Sequence, residues 1–329
     1  MKRTLVEAVN DGLHTAMEHD DRVIVYGEDV AENGGVFRAT DGLKDTFGPE
    51  RVVDTPIAEI SIVGSAVGLS MSGFRPVAEI QFSGFIPPTF NQLVSMASRI
   101  RWRTRGEHSA PMVVRAPYGG GVRALEHHSE SMEAAYAHVP GLQVVIPSTP
   151  YDTKGLLQSA IDDPDPVLFL EPKLSYRTFR EEVPDERYTV PIGEAAVRKE
   201  GSDLTVVTWG SMMPYTTEAV ETIEEERGVD IELIDLRTIS PLDRETLIES
   251  VKKTGKVTVV HEGPKTGGFA AELVATINEE ALMYLEAPVH RVTGFDVPIP
   301  MLAMEDYYLP NPPRIEEGIT DTLEARGGV

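Results

Sequence analysis

Cysteine is absent from this 329-residue chain, which excludes a disulfide scaffold, a thiolate metal site and a cysteine nucleophile. Positive charge is scarce: 30 Lys and Arg stand against 53 Asp and Glu, for a net charge of −23, and nine of the 30 are Lys. No basic stripe of the kind that tracks phosphates runs along the chain, so nucleic acid is not an expected partner. The one Arg cluster, Arg99, Arg101, Arg103 and Arg105, alternates with apolar and polar residues and fits a structural or interface role. Long apolar runs are missing too. None approaches the roughly 20 residues that span a bilayer, and no signal peptide or lipidation motif opens the chain, so we expect a cytoplasmic protein without a membrane partner. A surface rich in carboxylates stays hydrated where salt screens charge, which suits a saline, halophilic cytoplasm. Several catalytic signatures are also lacking: G-x-G-x-x-G, the P-loop, the G-x-S-x-G elbow and H-E-x-x-H. The doublet Gly267 and Gly268 follows a strand and opens a helix, like an anion nest, but has no downstream Lys-Ser/Thr partner, which favours close packing.

What is present alternates. Short apolar runs bounded by Gly and Pro, at Val23 to Tyr26, Val77 to Phe82, Met112 to Val114, Val144 to Ile146 and Val167 to Leu170, predict buried parallel strands. Helical patterns lie between them, at Thr4 to His19, Ile60 to Ser72, Thr89 to Trp102, Met132 to Ala137 and Asp152 to Ile161. The alternation implies a doubly wound α/β domain. Arg177 to Pro191 breaks the periodicity with two prolines and mixed charge and looks like a linker, so domains are expected at 1–185 and 186–329. The second is a smaller βαβαβαβ unit.

Glu59 is the most informative residue. It opens a helix built from Ile62, Val63, Ala66, Val67 and Leu69, with Gly64, Gly68 and Ser72 four apart on one face, a spacing that lets another backbone approach. A carboxyl buried there would have a raised pKa and suit acid/base chemistry. A helix-capping Glu paired with an Arg explains the same pattern equally well. Ligands gather at the carboxyl ends of parallel strands, and three loops there stand out. One carries Gln81, Phe82 and Phe85, an amide beside two rings, suited to a flat heterocycle. The next, APYGGGVRALEHHSES, combines three glycines with His127 and His128, which could shuttle protons or simply pack at the surface. The last, IDDPDP at 161 to 166, offers helix-terminal carbonyls beside carboxylates, as a cation site or a solvated turn.

These segments resemble the beta subunit of the thiamine-diphosphate-dependent decarboxylase component of 2-oxo acid dehydrogenase complexes, of the pyruvate and branched-chain type. The likeness runs nearly end to end, through GEDVAENGGVFRATDGL at 27 to 43, DTPIAE at 54 to 59, GFRPVAEIQF at 73 to 82, HSES at 128 to 131, PGLQVVIPSTPYDTKGLL at 140 to 157, IDLRTISPLD at 234 to 243 and HEGPKTGGFAAE at 261 to 272. The resemblance implies a pyrimidine-binding domain followed by a transketolase C-terminal-like domain. By resemblance, Glu59 bonds the aminopyrimidine ring of the cofactor and drives it toward the imino tautomer that deprotonates the thiazolium carbon. Ile57, Gln81 and Phe85 line the pyrimidine pocket. The family histidine precedes S-x-S, which selects His128 over His127 for proton transfer at substrate and lipoyl group, although the doubled histidine departs from the commonest pattern. Potassium is implied at the backbone carbonyls of Met112, Ala160, Ile161, Asp163 and Asp165. Related enzymes hold the diphosphate through Mg(2+) on a G-D-G segment, which this chain lacks. An alpha subunit supplies it in the family, so an α2β2 heterotetramer is implied, with the Gly64 to Ser72 helix at an interface. The second domain then dimerises the beta subunits and docks the dihydrolipoamide acyltransferase core, whose lipoyl domain takes the acyl group. The substrate cues are mixed: VVIPSTPYDTKGLL looks pyruvate-like, HEGPKTGGFAAE and FLEPKLSYR branched-chain-like. The acetoin dehydrogenase beta subunit and a non-catalytic assembly subunit are the alternatives.

Overall fold

The computed structural model describes residues 1–325. Its strands run β1 Lys2–Arg3, β2 Val23–Gly27, β3 Val52–Asp54, β4 Arg75–Glu79, β5 Val113–Tyr118, β6 Gln143–Val145, β7 Val167–Pro172 and β8 Glu181–Glu182. They continue with β9 Ala196–Lys199, β10 Leu204–Thr208, β11 Ile231–Asp235, β12 Thr238–Ser240, β13 Val257–Val260 and β14 His290–Val292. A seven-stranded sheet has the order β12-β6-β7-β5-β4-β2-β3, and a five-stranded sheet the order β14-β13-β10-β11-β9. Both are parallel except at one edge, where β12 pairs antiparallel with β6 and β9 with β11. The fold is therefore the two-domain, mostly parallel α/β arrangement that the sequence implied.

Local sequence accounts for the elements that frame the sheets. The helix Leu5–His19 starts at a reciprocal capping box, Thr4 with Glu7, and buries Leu5, Val9, Leu13 and Met17 at helical spacing. Its partner Pro150–Asp162 is capped by Thr149, whose side chain accepts from the Asp152 amide. Leu156 and Leu157 are fully buried in the same cluster as Leu5 and Leu13, each burial stabilising by about 1.5–3 kcal/mol.

Two expectations need correction. The segment Arg177 to Pro191 is no free linker, because β8 pairs antiparallel with β1, Val183 and Val190 are buried, and Lys154 Nζ donates to the Pro184 and Asp185 carbonyls at 2.7 and 3.0 Å. Its apolar residues strap it to the first domain. The helix expected over Thr89 to Trp102 is instead a 3-10 turn, a π segment Asn91–Met96, a second 3-10 turn and one α turn Ile100–Arg103. Pro87 and Pro88 open the first of these turns, where a helix needs no amide donor. The second unit keeps the expected βαβαβαβ order, and the added β12 leaves it to pair at the edge of the first sheet, where Thr238 and Ile239 are buried.

Candidate active site

The carboxyl ends of β2, β4, β5 and β7 point the same way, and the loops leaving them meet. After β3, Asp54 accepts from the amides of Ala31 and Glu32 at 2.7 and 3.1 Å, which fastens the loop that follows β2. That loop begins with Glu28, a residue the sequence reading passed over. Burial pushes its carboxyl above the usual range, and the charges of Asp29 and Glu59 add to the shift, so Glu28 and Glu59 are electrostatic neighbours. Its signal in the sequence was slight, a Glu directly after a strand-ending glycine.

Glu59 occupies the first turn of the helix Glu59–Met71, behind Ala58. The expected burial is not found: Glu59 is half-buried, because one face of its helix is open, with Ile60 51% and Met71 56% exposed. The Arg-paired cap is not found either. Among the described residues Glu59 forms no ion pair, and its carboxyl borders an open cleft of about 900 Å³.

Phe85, Gly84, Glu126, His127, Glu130 and Met132 line the same cleft, with Pro298 to Met301 from the second domain. No Lys or Arg is among the lining residues. Phe82, Phe85 and His128 form one packed cluster: the His128 ring lies 4.4 Å from Phe82 and 5.1 Å from Phe85, centre to centre. His128 Nδ1 is 2.8 Å from the Glu126 carbonyl. A carbonyl only accepts, so Nδ1 carries the proton, and neutral His128 keeps its lone pair on Nε2. His127, at φ 67°, is exposed on the rim. Gly84 lets the two loops touch, since a Cβ there would strike the His127 carbonyl. Gln81 is half-buried outside the cleft lining, and Ile57 is 74% exposed beside the helix. The structure thus gathers Glu59, Phe85 and His127 in the cleft lining, while His128 packs on Phe82 and Phe85 next to it, and Gln81 and Ile57 lie outside the lining.

Beneath these loops the strand ends are tied by a buried ion cluster. Arg115 on β5 bonds both oxygens of Glu171 on β7, at 2.6 and 2.8 Å, and also Glu79 on β4, while Tyr176 donates to Glu171 at 2.5 Å. Removing one partner from such a cluster costs about 3–5 kcal/mol.

The five candidate potassium ligands sit at the other end of the sheet, and a cation is already there. Arg75 Nη1 donates to the carbonyls of Ile161 and Asp163 at 2.5 and 3.2 Å. The Asp165 carboxylate takes Arg101 at 2.7 Å, and Met112 accepts from the Val167 amide. Ala160 is buried in the adjoining helix. No cluster of three or more metal-ligating His, Asp or Glu side chains occurs among the described residues.

Comparison with known proteins adds the lineage. Family models for the transketolase pyrimidine binding domain and the transketolase C-terminal domain match residues 1–178 and 193–315. The pyruvate dehydrogenase E1 component subunit beta of Acholeplasma laidlawii is 54% identical over 98% of both chains. That of Bacillus subtilis (strain 168) is 48% identical over 98% of both, and the 2-oxoisovalerate dehydrogenase subunit beta of the same organism is 48% identical over 97% of this chain and 98% of its own. A solved split-gene transketolase, an inactive beta4 tetramer, superimposes with a TM-score of 0.80 at 24% identity, covering 98% of this chain and 99% of its own. That likeness speaks for the fold.

Proposed function

This chain belongs to the beta subunits of the thiamine-diphosphate-dependent first component of pyruvate and branched-chain 2-oxo acid dehydrogenases, and from that premise we propose how its residues serve the reaction. The observation that carries the proposal is the cleft itself, which joins a free carboxyl at Glu59, an aromatic face at Phe85 and a histidine loop, with no Lys or Arg in its lining. Such a lining suits the pyrimidine half of thiamine diphosphate and repels the diphosphate half. An alpha subunit therefore completes the site, bringing the diphosphate and its Mg(2+), in an α2β2 heterotetramer.

When bound, the cofactor supplies a nucleophilic carbon and an electron sink for decarboxylation. Glu59 bonds the aminopyrimidine and exchanges a proton with it. Phe85 packs on the ring, and Ile57 and Gln81 close the pocket's edge once the partner covers them. His128, held by Phe82, Phe85 and the Glu126 carbonyl, presents Nε2 as the base toward the 2-oxo acid or the incoming lipoyl group. The exposed helix face around Gly64, Gly68 and Met71 is the seat of a partner subunit. The second domain dimerises the beta chains and docks the acyltransferase core. The substrate is pyruvate or a branched-chain 2-oxo acid, the two classes named among the relatives. No described helix is long and apolar enough to cross a membrane, and the carboxylate surplus suits a saline cytoplasm. Potassium would have to compete with Arg75 for two of its five carbonyls, so the donor set does not fit it as it stands and no step involves it.

Glu59→Gln tests this reading. Assembled with the alpha subunit, the variant should lose at least ~100-fold in decarboxylation, the usual scale for a positioned acid/base group. Full activity in a normally assembled complex would overturn the role given to Glu59.

A further inference from the structure

The loop from Gly119 to Ser129, which carries His128, has no regular structure of its own and is exposed over most of residues 121–127. Its backbone bends through positive φ at Gly119, Gly121, Arg123 and His127. A segment with so few contacts of its own opens easily. Most of what holds it comes from the other domain.

Glu262, just past the end of β13, accepts from the Gly120 amide at 2.7 Å through Oε2. Glu305, at the head of the short helix Glu305–Tyr308, accepts the amides of Gly121 and Arg123 on Oε1, at 2.6 and 3.1 Å, and the Ser129 hydroxyl on Oε2, at 2.8 Å. Both carboxyls are nearly fully buried, with 3% and 1% exposure. The next residue, Asp306, grips Arg123 through Nε and Nη2, at 3.1 and 2.7 Å. Lys173 completes the set from β7's end, donating to the Gly119 carbonyl beneath Phe82. The three glycines make room for these contacts. A Cβ at Gly119 would strike Glu262, one at Gly120 would lie 2.8 Å from Leu309, and one at Gly121 would lie 2.6 Å from Leu174.

We propose that Glu305, assisted by Glu262, is a positioning residue: two carboxylates of the C-terminal domain clamp the glycine loop and so fix His128 beside Phe82 and Phe85. Burying a carboxylate costs several kcal/mol unless donors replace its water; all three donors to Glu305 belong to this one loop, whereas Glu262 takes the Gly120 amide on Oε2 and has no partner on Oε1 among the described residues. Hydrogen bonds to a charged acceptor are also the strong kind, fit to hold an otherwise loose segment. Ser129 is the direct link, since it is the neighbour of His128 and donates to Glu305. Misplacing a proton-transfer group by about 1 Å can cost on the order of 100-fold in rate. The inference rests on His128 acting in the reaction as proposed above.

The test uses the complex with the alpha subunit, loaded with thiamine diphosphate, and compares the parent with Glu305→Ala, Glu305→Gln and Ser129→Ala. Glu305→Ala should lower kcat for 2-oxo acid decarboxylation by ~10- to 100-fold with KM within about 3-fold, the pattern of a lost transition-state contact. Hydrogen exchange across residues 119–129 should accelerate in the same variant. Glu305→Gln keeps an oxygen for both amides, so it should stay within ~5-fold of the parent in kcat and protect the loop. Ser129→Ala should fold normally and lose several-fold in kcat. The proposal is overturned if Glu305→Ala loosens the loop yet keeps full kcat, if the Gln variant is as poor as the Ala variant, or if the loss is in KM alone. Should Glu305→Ala not fold, a Ser129→Ala complex with the parent's kcat overturns it. An inactive parent would instead count against the site reading, while loop exchange in the Ala and Gln variants still reads the clamp.

Discussion

His261 and Glu133 are buried titratable residues whose shifts oppose each other. The His261 ring stacks on Trp209 at 5.4 Å, and neither ring nitrogen has a partner among the described residues. Burial, with a smaller push from Arg291, lowers its pKa to about 4. Burial, with the nearby Glu262 charge adding to it, raises Glu133 to about 7. The stability contribution of His261 is complete above its ordinary 6.5 and is lost as pH falls through about 4. That of Glu133 is complete below its ordinary 4.5 and is lost as pH rises through about 7. Between pH 4.5 and 6.5 the two slopes, each up to about 1.4 kcal/mol per pH unit, oppose one another. Melting curves across this range should therefore part company: relative to the parent, His261→Gln should lose acid sensitivity and Glu133→Gln should lose sensitivity to rising pH. Superimposable difference curves would refute the assignment. Single residues were unevenly legible in the sequence. Glu59 stood out because an acid opening an apolar helix is anomalous, yet its degree of burial depends on what covers Ile60 and Met71 and could not be read. The choice between His127 and His128 leaned on resemblance alone: His127 lines the cleft, and His128 packs against Phe82 and Phe85. Glu262 and Glu305 gave no signal, being 142 and 184 residues from the amides they accept.

The helix Glu59–Met71 holds two glycines that no packing inside the chain requires. Nothing lies within 4 Å of a Cβ placed at Gly68, and at Gly64 the nearest atom is Gln92 Cγ at 3.6 Å. Inside the single chain these glycines are not needed for packing, and each costs the helix about 1 kcal/mol relative to Ala. We therefore expect Gly68→Leu to leave the beta chain's own melting temperature unchanged or higher, while weakening its association with the alpha subunit at least ~10-fold in sedimentation or titration. Undiminished association would remove this face from the interface. Elements driven by local pattern were readable: the apolar runs became β2, β4, β5, β6 and β7, and Thr4 announced the first helix. Elements defined by remote partners were not. β12 is a three-residue strand whose partner lies nearly 100 residues earlier in the other domain, and β8 has just two residues against β1. The glycine triplet stood out in the sequence, but the groups it makes room for, Glu262, Leu309 and Leu174, did not.

At the scale of the whole molecule, a net charge of −23 makes assembly a matter of screening. Carboxylates on apposed subunits repel over about 30 Å in 0.01 M salt and about 3 Å in 1 M. The assembled complex should thus dissociate more readily in millimolar than in molar salt, and equal association at both would show that the acidic surface plays no part. The proposal that a cleft with a carboxyl, an aromatic face and a histidine but no Lys or Arg is half of a thiamine-diphosphate site concerns the same assembly. It is tested most directly by copurifying this chain with its alpha subunit in high salt. The complex is then supplied with thiamine diphosphate and an artificial electron acceptor and assayed with pyruvate, 2-oxobutyrate, the branched-chain 2-oxo acids and acetoin. Turnover of a 2-oxo acid by the pair, and by neither subunit alone, is the predicted result and names the substrate. A cofactor-loaded complex that is silent on every 2-oxo acid would contradict it, and activity on acetoin alone would move the chain to that sister enzyme.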